Sequence, residues 1–333
     1  MTDLVSVLDA ALEVPIVPSF TRIGYSARKA LFHWKDLGEY DLTGRVMAVT
    51  GATSGLGRAA AEQLASDGAT VIVVGRDPAK TERTVADLRR ATRNERITAV
   101  IADLGELDSV RHAAAEIRHA TDRLDVLIHN AASLSHERHL TSDGTEATVA
   151  IQVVGPFLLT SLLLDRLRAS QPGRVITVSS GGMYTAAPTV AALQMDSVSY
   201  NGTKQYALAK RAQVTLNEMW AGHVTDGSVV FQSMHPGWAD TPGVAEALPT
   251  FRRVVGPLLR DARQGADTIV WLAADDGEPA TTWGGFWLDR RVRPIHRLRS
   301  TARADTPEVR HGLWDWVVAT SGEDPDRSHP PTG

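Results

Sequence analysis

The stretch Thr50-Gly51-Ala52-Thr53-Ser54-Gly55-Leu56-Gly57 decides the fold of this chain. It lies between an apolar run, 45–50, and an alanine-rich helical pattern. Glycines permit a tight turn and a close ligand approach, and the N-terminus of the following helix offers free N–H groups to a pyrophosphate. The spacing Gly-x-x-x-Gly-x-Gly differs from the commonest dinucleotide fingerprint, but the strand–turn–helix context is the required one. The turn therefore predicts dinucleotide binding, with a plain structural turn as the alternative. The predicted binding residues are Gly51, Thr53, Ser54, Gly55, Leu56 and Gly57.

The second apolar run ends in Val74-Gly75-Arg76. A site that prefers NAD usually carries Asp or Glu at this point to hold the ribose hydroxyls. Arg76 could instead pair with a 2′-phosphate through a bidentate, charge-assisted contact. The cation therefore favours NADP(H) over NAD(H), and the alternative is a solvent-exposed arginine at the start of a helix.

Short β-branched runs alternate with helical patterns from residue 41 onward. Continuous apolar strands separated by helices indicate an α/β fold, with a parallel sheet covered on both faces. The predicted strands are 45–50, 69–74, 97–101, 124–129, 174–179 and 228–234. The predicted helices are 56–66, 79–92, 106–120, 143–169, 203–222 and 262–274.

Composition narrows the function classes. The 333 residues are 22% charged with a net charge of -4, so no basic excess points to nucleic acid. The absence of cysteine excludes disulfides and thiolate catalysis and fits a reducing cytoplasm. His129, His136 and His235 lack the spacing of metal ligands, so no metal is predicted. Since no run of 18 apolar residues and no basic leader occurs, we expect neither a membrane-spanning helix nor a secretory signal.

The two ends of the chain stand apart from this pattern. Residues 1–40 carry apolar residues at helical spacing, followed by a basic stretch with interleaved aromatic residues. One interpretation is a segment that docks on a membrane surface or a partner. The other, which we favour because the charge is modest, is a pair of helices packed on the body of the protein. We expect a cytoplasmic protein, with peripheral membrane association through 1–40 as the alternative, and a disordered tail over 318–333.

Two overlapping copies of Tyr-x-x-x-Lys occur in the stretch 200–210: Tyr200 with Lys204, and Tyr206 with Lys210. Residues four apart share one face of a helix, so either pair could place an ammonium beside a phenol. A fixed positive charge lowers the pKa of a tyrosine and makes it a proton donor and acceptor for carbonyl and alcohol chemistry. The motif alone is weak, because such a pair is usually part of a solvated helix face.

The order of motifs along residues 42–290 resembles that of the short-chain dehydrogenase/reductases. Successive predicted strands are followed by Asp103-Leu104, by Asn130-Ala131-Ala132, by Val178-Ser179-Ser180 and by Pro236-Gly237-Trp238-Ala239-Asp240-Thr241. The stretch 233–244, together with 181–183 and 210–211, is most similar to the branch that includes member twelve of that superfamily. This branch is similar in layout to the retinol-dehydrogenase-like enzymes.

The resemblance implies a Rossmann-type, doubly wound sheet of seven parallel strands flanked by helices. It implies one domain over 41–317, with a substrate lid around 183–200 and 238–260. It further implies that Ser180 bonds the substrate oxygen and that Asn130 stabilises the fourth strand beside the cofactor. The other implied cofactor contacts are Asp103 and Leu104 at the adenine, Thr241 at the nicotinamide carboxamide, and Ala131, Pro236, Gly237 and Trp238.

The register of the family separates the two tyrosines. In the family the lysine opens a long helix with an apolar face, and the chain after Lys210 fits this pattern better than the chain after Lys204. Asn201-Gly202 is also a turn signal, so Tyr200 should precede the helix. The resemblance therefore implies that Tyr206 is the acid/base and that Lys210 holds the nicotinamide ribose and lowers the pKa of Tyr206.

One position departs from the family. An asparagine often precedes Gly-x-Phe in the helix after the fourth strand, where it supports a water chain that recharges the Lys–Tyr pair. Gln152 occupies that place here, so the amide remains but is one methylene longer. This substitution puts the proton relay in doubt and leaves the hydride step untouched.

The expected function is an NADP(H)-dependent oxidoreductase acting on the carbonyl or secondary alcohol of an apolar small molecule. One alternative is a cofactor-binding sensor or scaffold that has lost turnover, which Gln152 permits. Another is a membrane-surface reductase for lipids or retinoids that uses residues 1–40. The family usually pairs through its two long helices, so a homodimer is the default expectation.

Overall fold

The computed structural model describes residues 2–247 and 249–325. The strands are β1 (Val46–Thr50), β2 (Thr70–Gly75), β3 (Ile97–Ile101), β4 (Val126–His129), β5 (Gly173–Val178), β6 (Val229–Met234), β7 (Phe286–Leu288) and β8 (Arg291–Val292). The helices are α1 (Thr2–Glu13), α2 (Ile16–Phe20), α3 (Arg22–Leu31), α4 (Gly55–Ser66), α5 (Pro78–Thr92), α6 (Leu107–Ala120), α7 (Ala147–Val149), α8 (Gly155–Arg168), α9 (Val190–Leu193), α10 (Gly202–His223), α11 (Pro242–Ala247), α12 (Pro249–Val255), α13 (Ala262–Ala274), α14 (Glu278–Thr281), α15 (Arg299–Ala304) and α16 (Pro307–Ser321). A π-helical turn, Ala150–Val154, joins α7 to α8.

The strands form one sheet in the order β3-β2-β1-β4-β5-β6-β7-β8. The first seven run parallel, which confirms the predicted parallel sheet. The sequence did not indicate β8, which pairs antiparallel with β7. Asp289 and Arg290, at φ 54° and 55°, form the two-residue turn between these strands. A two-residue strand is too short to produce an alternating pattern, so only the structure reveals it.

Both faces of the sheet are covered, as its apolar strands predict. Buried residues of α4, α5 and α13 pack on one face, and those of α6, α8 and α10 pack on the other. The strand order reverses beside β1, which pairs with both β2 and β4. In an open α/β sheet a ligand crevice forms at such a point, outside the carboxyl ends of the strands. This edge therefore brings the predicted motifs together.

The helical stretch Ala147–Arg168 is long and apolar enough to span a membrane, unlike any other helix among the described residues. The fold itself buries 83% of its apolar window, as expected for a core helix against a sheet. The side chain of the buried Glu146 accepts a hydrogen bond from the Val149 N–H at 3.0 Å and begins this stretch.

The N-terminal helices lie against the body of the protein. The Tyr25 hydroxyl donates to Asp267 of α13 at 3.1 Å. The guanidinium of Arg28, which is fully buried, bonds Asp289 at 2.7 Å and Asp9 of α1 at 2.8 Å. The charge of Arg28, one of the basic residues of this segment, is therefore compensated by buried carboxylates inside the protein.

The C-terminal helix α16 packs across α8 and α10. The Trp314 ring lies 5.2 Å from that of Phe157 and 5.1 Å from that of Trp220. The helix continues through Ser321, so the expectation of disorder from residue 318 is wrong for 318–321. Buried Leu313 and Val317 explain why, because they hold the helix on the core. Gly322 follows as the C-cap of this helix and residues 323–325 are also described, while the rest of that predicted tail, 326–333, lies outside the described residues.

Candidate active site

The glycine-rich turn joins β1 to α4 and has little room for side chains. Gly51 and Gly55 have φ values of 65° and 54°, which favour glycine. A β-carbon on Gly57 would lie 2.3 Å from Asn130 Nδ2, and one on Gly51 would lie 2.8 Å from the Ala131 Cα. Glycines are thus required where the turn approaches the end of β4.

A hydrogen-bond cluster fixes the end of β4 against this turn. The Thr50 hydroxyl accepts from the N–H groups of Asn130 and Ala131 at 3.0 and 3.1 Å. The Asn130 side chain donates to the carbonyl oxygens of Thr50 and Gly51 at 3.0 and 3.2 Å. The positioning role of Thr50 was not predicted, although its place at the strand end, directly before the first glycine, was a signal.

The turn fits the pyrophosphate of a dinucleotide. Ser54 is the N-cap of α4, but its side chain makes no capping hydrogen bond. The first N–H groups of a helix have no partner within the helix, and together with the helix dipole they favour an anion. A β-carbon on Gly55 would lie 3.4 Å from Thr241 Cβ, so the two motifs predicted to bind the cofactor face each other. The remaining turn residues pack inward, since Thr53 abuts Gly75 and Leu56 abuts Gly265.

Arg76 and Asp103 come together at the ends of β2 and β3. The Arg76 side chain is 73% exposed, and its Nε lies 4.0 Å from Asp103 Oδ2. The other Asp103 oxygen accepts from the Gly105 N–H at 2.9 Å. Leu104, the residue between these two in sequence, is buried. The guanidinium is therefore free to turn toward an adenosine ribose, but it already has an acidic neighbour.

Ser180, Tyr206 and Lys210 converge beyond the carboxyl end of β5. The Ser180 and Tyr206 side chains are hydrogen-bonded to each other. Lys210 Nζ lies 5.5 Å from the centroid of the Tyr206 ring and donates to the Val178 carbonyl oxygen at 2.8 Å. Ser179 Oγ bonds the Lys210 carbonyl oxygen at 3.0 Å and ties α10 to β5. The three side chains thus form one compact group.

Burial dominates the proton affinities of this group. It raises the pKa of Tyr206 to about 12, while the Ser180 hydrogen bond acts in the opposite direction. It lowers the pKa of Lys210 to about 7. We expected Lys210 to lower the pKa of Tyr206, and in this structure the pKa is raised instead. The reason is that burial destabilises the charged form of both groups, the tyrosinate of Tyr206 and the ammonium of Lys210.

The second pair, Tyr200 and Lys204, lacks this arrangement. Helix α10 begins at Gly202, and the Asn201 side chain caps it by accepting from the Lys204 N–H at 2.9 Å. Tyr200 precedes the helix, as the turn signal predicts, and its hydroxyl bonds Glu146 at 3.1 Å. Burial and the Glu146 carboxylate raise the pKa of Tyr200. Its charged neighbour is an anion rather than the ammonium that the motif suggested.

Gln152 lies within the π-helical turn and is fully buried. Its Nε2 donates to the Ser133 carbonyl oxygen at 2.8 Å, while its Oε1 has no partner among the described residues. Gln152 lines a cavity of about 30 Å³ together with Gln213 and Asn217, and most of the other lining residues are apolar. A space of this size holds about one water molecule, which the unpaired amide atoms of these three residues would bind.

The loop 236–241 follows β6 and carries the remaining predicted contacts. Gly237 has φ 73°, and the Trp238 N–H donates to the Phe20 carbonyl oxygen at 2.6 Å. Trp238 also packs edge-on against Phe251, with ring centroids 5.0 Å apart. The sequence did not indicate that Phe20, more than two hundred positions away, would border this loop.

The histidines near the site are neutral. Burial lowers the pKa of His129 and of His235 to about 3. Within the described parts of the chain, no cluster of three or more potential metal-binding side chains occurs.

Comparisons with known proteins agree with this geometry. The profile of the short chain dehydrogenase family matches residues 45–250. The human dehydrogenase/reductase SDR family member 12 is 39% identical over 87% of this chain and 90% of its own length. Human retinol dehydrogenase 13 is 34% identical over 82% of this chain and 83% of its own length. A short chain dehydrogenase from Escherichia coli, solved with NADPH, has the same fold: the TM-score is 0.62 at 24% identity, covering 75% of this chain and 98% of that one.

The family match covers the turn, the serine and the Tyr-x-x-x-Lys helix. Both relatives match well beyond these motifs, over most of their own length. The chain therefore belongs to the short chain dehydrogenases, in the retinol-dehydrogenase-like branch, and is an oxidoreductase that uses a nicotinamide cofactor.

Proposed function

We propose that the protein is an NADP(H)-dependent oxidoreductase that interconverts a carbonyl and a secondary alcohol on an apolar small molecule. The observation that supports this most is the compact group formed by Ser180, Tyr206 and the buried Lys210. A tyrosine that stays protonated at neutral pH is suited to donate a proton to a carbonyl oxygen. The raised pKa of Tyr206 keeps its hydroxyl protonated at neutral pH, as the acid of a carbonyl reduction must be.

Each side chain has a separate part in the proposed mechanism. The Ser180 hydroxyl orients the substrate oxygen and stabilises the charge that develops on it. Tyr206 gives its proton to that oxygen in reduction and takes one in oxidation. Lys210, held by the Val178 carbonyl, bonds the ribose hydroxyls of the cofactor. The bound nicotinamide supplies or accepts the hydride.

The preference for NADP(H) is carried by Arg76. Its exposed guanidinium can reach a 2′-phosphate, while Asp103 at 4.0 Å competes for it and would repel that phosphate. The test is a comparison of NADPH and NADH affinities in the wild type and in Arg76→Ala. We expect the variant to lose NADPH affinity and keep NADH affinity; tighter wild-type binding of NADH would overturn the preference.

An apolar substrate is supported by the residues around the loop 236–241. Trp238 and Phe251 are both partly exposed and face each other beside the loop. Met183 and Tyr184 follow Ser180 in sequence and are buried in an apolar cluster with Phe20 and Phe286, so the turn beside Ser180 is backed by apolar side chains. A panel of carbonyls of increasing apolar size, with NADPH oxidation as the readout, tests this: kcat/KM should rise with apolar area.

The roles of the two tyrosines are tested by Tyr206→Phe and Tyr200→Phe in the same assay. We expect turnover to be lost in the first and kept in the second. Loss of activity in Tyr200→Phe alone would reverse the assignment. If the wild type turns over no carbonyl and the Tyr206→Phe protein still binds NADPH, the results would instead favour a cofactor-binding sensor.

Peripheral membrane association is a second candidate property, favoured by one observation. Val7 of α1, Val17 of α2 and Val14 between the two helices are 62%, 48% and 81% exposed. Co-sedimentation with phosphatidylserine vesicles tests it, using Val14→Asp as the variant and Val198→Asp, at a distant residue that is 95% exposed, as the control. Equal binding of both variants and the wild type would exclude this surface.

We further propose that the chain does not pair through α8 and α10, the default face for a homodimer. Helix α16 covers both helices with Trp314, Leu313 and Val317. Light scattering coupled to gel filtration should give the mass of a monomer, or of an oligomer whose interface leaves α16 in place. A dimer in which hydrogen exchange shows α16 displaced would contradict the proposal.

A further inference from the structure

Phe20 lies between the two loops that border the proposed reaction centre. Its ring is only 3% exposed. It meets the His235 ring edge-on at 4.3 Å and the Trp238 ring at 5.8 Å. On its other side, a β-carbon placed on Gly181 would lie 3.0 Å from Phe20 Cε2. The Phe20 ring therefore contacts the residue after Ser180 as well as the rings of His235 and Trp238, and the His235 ring itself lies 3.1 Å from the same β-carbon.

The backbone around Phe20 is bonded to the same loop. The Trp238 N–H donates to the Phe20 carbonyl oxygen at 2.6 Å, and the Trp238 carbonyl accepts from the Arg260 N–H at 2.8 Å. A β-carbon on Gly237 would lie 2.7 Å from the Phe20 carbonyl oxygen. Gly237 is thus needed for this close approach as well as for its positive φ.

Buried charges hold residues 18–21, which we call the docking segment, in this place. The Arg260 guanidinium donates to the carbonyl oxygens of Ser19 and Thr21 at 3.1 and 3.3 Å. The same guanidinium bonds Asp289 at 2.5 and 2.9 Å. Arg28 bonds that carboxylate from the other side at 2.7 Å. Removing one partner of such a buried network leaves an uncompensated charge, so the segment has one well-defined position.

Arg297 closes the remaining side of the Phe20 ring. Its guanidinium carbon lies 5.0 Å from the ring centroid of Phe20 and 4.8 Å from that of Tyr184. Tyr184 belongs to the turn that follows Ser180. Phe20 is therefore in contact with the turn that follows Ser180 and with the loop 236–241, two parts of the site that are distant in sequence from it.

We infer that Phe20 is a positioning residue for the reaction: with the docking segment, it sets the distance between the Ser180 turn and the loop 236–241. The inference rests on the proposed function, since it assigns that loop to the nicotinamide side of the site. Because its ring is only 3% exposed, Phe20 would act through its contacts with Gly181, His235 and Trp238 and not by touching a reactant. The N-terminal extension is thereby a component of the active site, which the membrane and packing interpretations did not include.

The experiment compares Phe20→Ala with Val17→Ala, a truncation on the same short helix at a residue that is 48% exposed. Three quantities are measured in the full chain: hydrogen exchange of peptides covering 236–241, the dissociation constant of NADPH, and kcat and KM for an active carbonyl. For Phe20→Ala we expect exchange in 236–241 to be about tenfold faster. We expect kcat/KM to fall by about tenfold or more, because small misplacements of reacting groups are costly. Val17→Ala should match the wild type in all three.

A purely structural role would give a different result. Phe20→Ala would then lower the unfolding temperature while exchange in 236–241, kcat and KM stayed at wild-type values for the folded fraction, and this outcome overturns the inference. If Phe20→Ala does not fold, Phe20→Leu is the second variant, because it keeps most of the apolar volume; it should show the same changes to a smaller extent. Hydrogen exchange and kinetics at wild-type values in Phe20→Leu would also overturn the inference. Hydrogen exchange is measured without turnover. A wild-type protein that reduces no carbonyl would therefore refute the proposed function, while the exchange comparison would still decide the role of Phe20.

Discussion

Tyr200 and Tyr206 are six residues apart, each has a lysine four positions later, and they meet opposite electrostatic surroundings. The Tyr206 hydroxyl bonds Ser180, and the Tyr206 ring lies 5.5 Å from the Nζ of buried Lys210. The Tyr200 hydroxyl bonds the carboxylate of Glu146, a buried residue that also caps a helix. The difference arises from where α10 begins, because Asn201 caps it and leaves Tyr200 outside. A sequence motif thus acquires its chemistry from the helix register and from the residues that neighbouring strands supply.

The largest expected effect is on turnover. Tyr206→Phe removes the proton donor and should lower kcat by about a thousandfold, within the usual range for general acid–base catalysis. Tyr200→Phe should stay within about twofold, because its hydroxyl lies on a carboxylate away from Ser180. NADPH oxidation with a carbonyl substrate measures both. Comparable losses in the two variants would remove the distinction between the tyrosines.

The two lysines should differ in their effect on stability. Lys210 is fully buried and its pKa is lowered to about 7, so the unfolded chain holds a proton that the folded chain releases between about pH 7 and 10.5. The contribution of Lys210 to the free energy of unfolding therefore rises with pH across that window. Below pH 7 Lys210 is protonated in both the folded and the unfolded chain, so the folded protein bears the full free-energy cost of burying the charge.

Lys210→Met should accordingly stabilise the protein by roughly 2 kcal/mol near pH 7, after allowing for the lost bond to Val178, and the gain should fade toward pH 10.5. Lys204 is exposed, so Lys204→Met is the matched control and should leave stability unchanged at every pH. Urea unfolding at pH 6.5, 8 and 9.5 measures the pair. A gain that grows with pH would contradict the assigned direction.

Most of the fold follows from sequence patterns that are local. The strands β1 to β6 are continuous apolar runs, and Asn201-Gly202 marks the start of α10 because a side-chain cap and a small residue are needed there. A β-carbon on Gly202 would in fact lie 1.8 Å from the Ser135 carbonyl oxygen. By contrast, the contact between Phe20 and Trp238 joins residues distant in sequence. The direction of the Tyr206 pKa depends on burial, which no local pattern reports.

Tyr200→Phe should be the more damaging substitution when stability is measured, whereas Tyr206→Phe is the more damaging one for turnover. Tyr200→Phe deprives the buried Glu146 carboxylate of a hydrogen bond and should cost about 1–2 kcal/mol. Tyr206→Phe removes only a hydroxyl–hydroxyl bond to Ser180 and should cost less than about 1 kcal/mol. Unfolding in urea at pH 7 gives both values. A larger loss for Tyr206→Phe would show that Glu146 finds another donor.

The smallest effect should come from Gln152, which holds the same loop as Tyr200. Gln152 Nε2 bonds the Ser133 carbonyl at 2.8 Å, and the Tyr200 hydroxyl lies 3.3 Å from the Ser135 carbonyl. Gln152→Asn shortens the amide by one methylene, which lengthens the first contact and enlarges the neighbouring cavity. Since a water molecule can bridge such a gap, kcat should change by less than about threefold. Gln152→Leu, which has a similar size but no amide, is the matched comparison and should lower kcat further. Equal activity in the two variants would mean that the amide contributes nothing beyond its volume, and that Tyr206 depends on Ser180 and Lys210 alone.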